Sequence, residues 1–196
     1  YVLIEIISAS PHARRPPCIL ARDCGGCSLQ HLSVEAQNNW KQERLTNTLT
    51  RIGQLDPDVN ALVSPDQESL GYRNRALIPV RRDGLKVRLG YYKRGSHRIV
   101  NLNHCPVLDP RLDALIAPIK QDLESTSWPM DSDLQGDPGL RHLGLRIGVR
   151  TGEVLITLIS ATRTLQGVEA LSAAWMRRWP QLKGVTLNLQ PKRSNA

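Results

Sequence analysis

Cysteine is scarce: the 196 residues contain four. That excludes a small secreted scaffold stapled by disulfides, which is shorter and denser in cysteine. Long hydrophobic runs are missing too. Nothing approaches the ~18 apolar residues of a membrane-spanning helix, so no membrane is expected as a partner. The first ten residues, YVLIEIISAS, lack the basic start of a secretory signal and carry Glu5; no leader is expected there. Internal repeats and low-complexity tracts are absent. What is present is a globular composition, 40% hydrophobic and 22% charged, long enough for one domain or two small ones. The chain opens on Tyr rather than Met, and a piece or processed product of a longer protein is expected.

Acid is missing from one stretch in particular. Residues 73–98 carry nine Lys and Arg, seven of them Arg, against Asp83 alone. The whole formal excess of +8 sits there, and the rest of the chain is neutral. An excess confined to one segment is the footprint of a polyanion site. A sheet edge kept charged for solubility is the alternative. Arginine suits bidentate phosphate contacts and stacking on bases, which favours nucleic acid.

Patterning divides the chain into elements. Residues 1–9 read as a strand. Residues 10–32 read as loop, because Pro11, Pro16, Pro17 and the Gly25-Gly26 pair forbid regular structure. Ser33 is placed to cap a helix to about Ile52, with Gly53 as its stop and Ala36, Trp40, Leu45, Leu49 and Ile52 as its apolar stripe. A three-stranded meander follows, with turns at Asp83-Gly84 and Arg94-Gly95-Ser96. The period of two sends Lys86 and Arg88 to one face and Leu85, Val87 and Leu89 to the other. Asp109 caps a helix with Pro110 in its first turn and Leu112, Leu115, Ile116 and Ile119 inward. Residues 125–139 are polar and acidic, a linker or long loop where an internal break is expected. Then come a hairpin turning at Thr151-Gly152, a helix around Gln166 to Arg178, and a last strand in LKGVTLNLQP. The fold class is α+β: a cysteine-bearing loop plus antiparallel sheets with packed helices.

Three of the four cysteines, Cys18, Cys24 and Cys27, fall within ten residues, and Cys105 lies far downstream before Pro106. A redox CxxC would open a helix after a strand, and would leave two cysteines unexplained. Zinc sites of four cysteines usually come as two close pairs. Three clustered cysteines plus a remote Cys-Pro are closer to iron–sulfur ligation, with zinc remaining open on spacing alone. Gly25 and Gly26 let backbone N–H groups approach the sulfurs. His31 and His104 read as ordinary polar loop residues.

The segments CGGCSLQHLSVEAQNNWKQ, GYRNRALIPV, GYYKRGSHRIVNLNHCPVLDP and NLQPKRSN together resemble the RNA uracil-5-methyltransferases, most nearly the 23S ribosomal RNA branch that carries a 4Fe–4S cluster. The resemblance runs in order along the whole chain. It implies a cytoplasmic, monomeric RNA-modifying enzyme. Residues 1–9 would end a TRAM-like β-barrel, and residues 10–196 would form the central iron–sulfur and RNA-binding domain. Cys18, Cys24, Cys27 and Cys105 would be the cluster ligands. The family attacks carbon 6 of uracil with a cysteine thiolate borne on a C-terminal Rossmann-like domain that also binds S-adenosylmethionine. That domain is expected to be absent here, since all four cysteines are assigned to the cluster. GLRIGVRTG lies on a hairpin and does not open a helix, so it is not a methyl-donor loop. No catalytic residue is carried over; the chain alone is expected to be inactive and not to bind the methyl donor. A stand-alone RNA-binding iron–sulfur module is the alternative. RNA contacts are expected from Arg73, Arg75, Lys86, Arg88, Lys93 and Arg94, with Tyr91 or Tyr92 stacking on a base and Ser96 and His97 as neutral donors.

Overall fold

The computed structural model describes residues 5–63, 70–135 and 138–192. The chain divides into two compact units, Tyr1–Ala21 with Cys27–Ser69, and Arg22–Gly26 with Leu70–Ala196.

In the first unit, helix α1 spans Val34–Arg51. The Ser33 hydroxyl accepts from the Ala36 amide at 3.2 Å, satisfying one of the helix's unpaired donors. The apolar stripe read from the sequence is present, but α1 buries none of its residues. Trp40, Leu45 and Ile52 are exposed. The strand expected over residues 1–9 is not found where it can be seen: residues 5–9 are irregular, and 1–4 lie outside the described residues.

The second unit is α+β. Its strands are β1 Arg75–Asp83, β2 Lys86–Leu89, β3 Leu140–Ile147, β4 Val154–Ser160 and β5 Leu182–Leu189, with helices α2 Pro110–Glu124 and α3 Val168–Arg178. They make one mixed sheet, ordered β2-β1-β3-β4-β5, rather than separate antiparallel sheets. The difference lies in the last pair. α3 carries the chain from β4 across to β5, and such a crossover delivers a parallel strand. The third strand of the meander is reduced to a bridge between Tyr92 and Ile99.

The β1–β2 turn centres on Gly84-Leu85, one residue later than expected, because Asp83 pairs with Lys86. Gly84 supplies the positive φ of 59° that a two-residue hairpin loop needs. Leu85 is thereby thrown out to solvent at 88% exposure, while Val87 and Leu89 are buried. Lys86 and Arg88 are exposed, as the alternation requires.

One face of the sheet makes the core with Ile78, Val80, Leu143, Leu145, Ile156 and Leu158. α2 packs there through Leu112, Leu115, Ile116, Ile119 and Leu123, each fully buried or nearly so. Each such side chain contributes about 1.5–3 kcal/mol by leaving water. Asp109 caps α2 by accepting from the Arg111 amide at 3.0 Å. The other end of α2 is held by Arg82, whose guanidinium donates to the carbonyls of Leu123, Thr126 and Trp128 at 2.8, 2.9 and 2.9 Å. The polar segment 125–135 is part of this packing: Trp128 and Met130 are buried, and the Trp128 indole donates to the Gln166 carbonyl at 2.7 Å.

Candidate functional site

Residues 22–26 lie in the second unit and run beside residues 92–94. Gly25 donates to the Tyr92 carbonyl at 2.8 Å, Cys24 and Lys93 form a bridge, and Lys93 pairs with Asp23 at 3.0 Å. The two glycines serve different ends. A Cβ on Gly25 would stand 2.8 Å from the Tyr92 oxygen, so only glycine allows this docking. Gly26 meets the sulfur expectation: its amide donates to Cys24 Sγ at 3.4 Å.

Cys24 lies next to Tyr91: a Cβ on Gly26 would meet the Tyr91 ring at 3.3 Å and the Cys24 sulfur at 3.5 Å. Burial raises the Tyr91 hydroxyl above its ordinary value, and the negative charge of the Cys105 and Cys24 sulfurs raises it further, with Arg73 opposing. Cys105 is buried, and its amide donates to Asp113 Oδ1 at 2.6 Å. The other Asp113 oxygen accepts from His104 Nδ1. Asp113 in the first turn of α2 thus shapes the His104-Cys105 turn. Sequence reading missed it, because an acid in a first helical turn is ordinarily a dipole complement. His104 is accordingly more than a loose loop residue.

Cys18 and Cys27 belong to the first unit. The Cys18 amide donates to the Gln30 side chain at 3.3 Å. None of the four cysteines is in a disulfide. Among the described residues, no three His, Cys, Asp or Glu side chains are gathered as a metal-binding group.

The basic residues expected to meet RNA are split among three clefts, except Arg73, which lines none of them and stands against Tyr91. Tyr91, Tyr92, Lys93, Arg94 and His97 line one of about 680 Å³ with Gly25 and Gly26. Lys86 and Arg88 line a second, of about 550 Å³, together with Asn101, Asn103 and Lys120. Arg75 lines a third, of about 400 Å³. Several bases already have partners: Arg88 pairs with Asp83 at 2.6 Å, and Lys86 approaches Glu124 at 4.0 Å. Arg82 is used on α2. Neither tyrosine is a bare stacking platform. Tyr91 is half-buried, and the Tyr92 hydroxyl is fixed on Ser132 at 3.0 Å with its ring edge-on to His97. His97 approaches Asp133 at 3.4 Å. Ser96 closes its own turn by donating to the Lys93 carbonyl at 3.3 Å. No helix among the described residues is long and apolar enough to cross a membrane.

No protein-family model matches the chain. It is similar to an uncharacterized RNA methyltransferase of Parasynechococcus marenigrum, 58% identical over 97% of this chain and 41% of the relative. A second uncharacterized RNA methyltransferase, from a Nostoc species, is 45% identical over 99% of this chain and 42% of the relative. One from Bacillus cereus is 31% identical over 98% and 42%. The chain therefore spans about two fifths of the length of the curated relatives it matches. Among solved structures it resembles the Pyrococcus abyssi tRNA (uracil-54, C5)-methyltransferase in complex with S-adenosyl-L-homocysteine. The TM-score is 0.63 at 22% identity, over 98% of this chain and 41% of that one, a likeness of fold.

Proposed function

We propose that the chain is the RNA-binding, cluster-bearing part of an S-adenosylmethionine-dependent RNA (uracil-5-)-methyltransferase acting on 23S ribosomal RNA. One observation carries the reading. The likeness to RNA methyltransferases covers nearly all of this chain, and its cysteine loop is docked against its basic loop. No residue of this chain is assigned a catalytic role, and the methyl donor is assigned to the remainder of the parent protein.

The residues present fit an iron–sulfur group in their chemistry. All four cysteines are outside disulfides, and an amide already points at Cys24 Sγ. Cys18, Cys24, Cys27 and Cys105 would hold the cluster. When bound, a 4Fe–4S group supplies a covalent tie between segments distant in sequence, and with it the option of one-electron chemistry. The Gly26 amide stabilises negative charge on the Cys24 sulfur. Asp113 holds the turn that presents Cys105. Lys93, Arg94 and His97 offer cationic and neutral donors to RNA phosphates.

Anaerobic purification with iron, sulfide and zinc analysis, followed by titration with single-stranded ribosomal RNA fragments, tests this reading. Iron and sulfide in equal amounts with salt-sensitive RNA binding are expected. Stoichiometric zinc without sulfide would overturn the cluster. Absence of RNA binding would overturn the RNA-binding role.

A further inference from the structure

Arg75 on β1 stands directly opposite Arg146 on β3 in the antiparallel register. Directly opposed residues put their side chains on one face with Cβ atoms roughly 5 Å apart, and like charges so placed repel. Both arginines are exposed, and both line the 400 Å³ cleft. A third, Arg150, joins them from the β3–β4 loop, with Asn74 and Thr151 as neutral donors. No acidic side chain lines the cleft. None of the three arginines has an ion pair or side-chain hydrogen bond among the described residues. Elsewhere in the same unit Arg88, Arg111 and Arg178 do have acidic partners, Asp83, Asp109 and Asp122.

The loop presenting Arg150 is held in place. Gly152 donates to the Gly148 carbonyl at 2.7 Å, and Arg111 donates to the Val149 carbonyl at 3.3 Å. Along the same row of the sheet the next positions are Leu155 and Gly184. No aromatic ring lies there for a base to stack on.

We propose that Arg75, Arg146 and Arg150 form a binding site for phosphodiester groups of the RNA, on the β1–β3 face and in addition to the donors of the basic loop. The proposal rests on the RNA-binding reading above and deepens it. Two of its three residues lie outside the arginine-rich stretch of the sequence. A bound phosphate offsets the repulsion that the fold builds in, and the planar guanidinium forks suit its oxygens. Because only the backbone is contacted, the site is indifferent to sequence.

The test compares the chain with its Arg146→Ala/Arg150→Ala variant, in binding of labelled single-stranded RNA over a series of salt concentrations. The variant is expected to bind roughly tenfold more weakly for every RNA tried. Its dependence of log K on log salt is expected to flatten by about one unit. Its melting temperature is expected to hold or rise, since a repulsion has been removed; a merely structural arginine would lower it. Unchanged affinity and slope, with the parent chain still binding RNA, would overturn the site and leave the RNA reading intact. No RNA binding by the parent chain would overturn both. Two competitors at matched ionic strength separate other anions. Displacement of RNA by millimolar inorganic phosphate would make this a free-anion site. Arginine-dependent binding of poly-glutamate, tighter than that of RNA, would make it a surface for an acidic protein. Either result would overturn the proposal.

Discussion

Gly25 donates its amide to the Tyr92 carbonyl across 2.8 Å, and a Cβ on Gly25 would arrive at the same 2.8 Å from that oxygen. The cysteine loop and the basic loop are thus joined by a contact that no other residue permits. Gly25→Ala is expected to destabilise the second unit by about 1–3 kcal/mol through forced backbone shifts. Gly26→Ala, whose Cβ would meet the flexible Tyr91 ring at 3.3 Å, is expected to cost less. Urea unfolding of both variants checks the order; equal effects would mean that the close approach is not what the glycine provides.

Cys105→Ser keeps the size of the side chain and removes the thiolate. With the cluster reading in force, it is expected to abolish iron and sulfide incorporation and to lower stability, since metal binding is coupled to folding. Full iron content in that variant would remove Cys105 from the ligand set.

Arg82 belongs to the arginine-rich stretch, yet it closes the C-terminal end of α2 through three backbone carbonyls. Arg82→Met is expected to cost about 3 kcal/mol by taking away the donor to the Thr126 and Trp128 carbonyls. The salt slope of RNA binding by the folded variant is expected not to change. A change of one unit would add Arg82 to the RNA-contacting residues.

His142 is half-buried with no hydrogen-bond partner at Nδ1 among the described residues. Burial first, then the Arg141 charge, pushes it down to about 4 from the ordinary 6.5, with Asp133 opposing. Between those values the unfolded chain holds a proton that the folded chain does not. Stability is therefore full above pH 6.5, declines as pH falls toward 4, and loses nothing more from this group below that. His142→Asn is expected to flatten this part of the pH–stability curve, measured by denaturant midpoints. An unaltered curve would assign the acid sensitivity to other groups.

Local chemistry was legible without any structure. Ser33 and Asp109 cap helices because their side chains reach the next free amides, a relation spanning two or three residues. The apolar spacing of α2 and the alternation of Val87 and Leu89 also translate directly into burial. The Gly26 approach to Cys24 Sγ was visible in the Cys-Gly-Gly run. Leu85 was misplaced because register, and not alternation, decides which two residues make the turn.

Order along the chain is enough to name the groups: four cysteines, one arginine-rich stretch, helix caps and apolar periods. Each is a property of neighbours along the chain. Which charges are used up and which are left over depends on how the strands and helices pack. Arg82 and Arg88 look like Arg75 in the sequence, yet the fold gives the first three carbonyls and the second a carboxylate. It gives Arg75 another arginine, Arg146, seventy-one positions away. Strand pairing brings distant residues to within a side chain's reach, and Coulomb energy depends on that distance and not on separation along the chain.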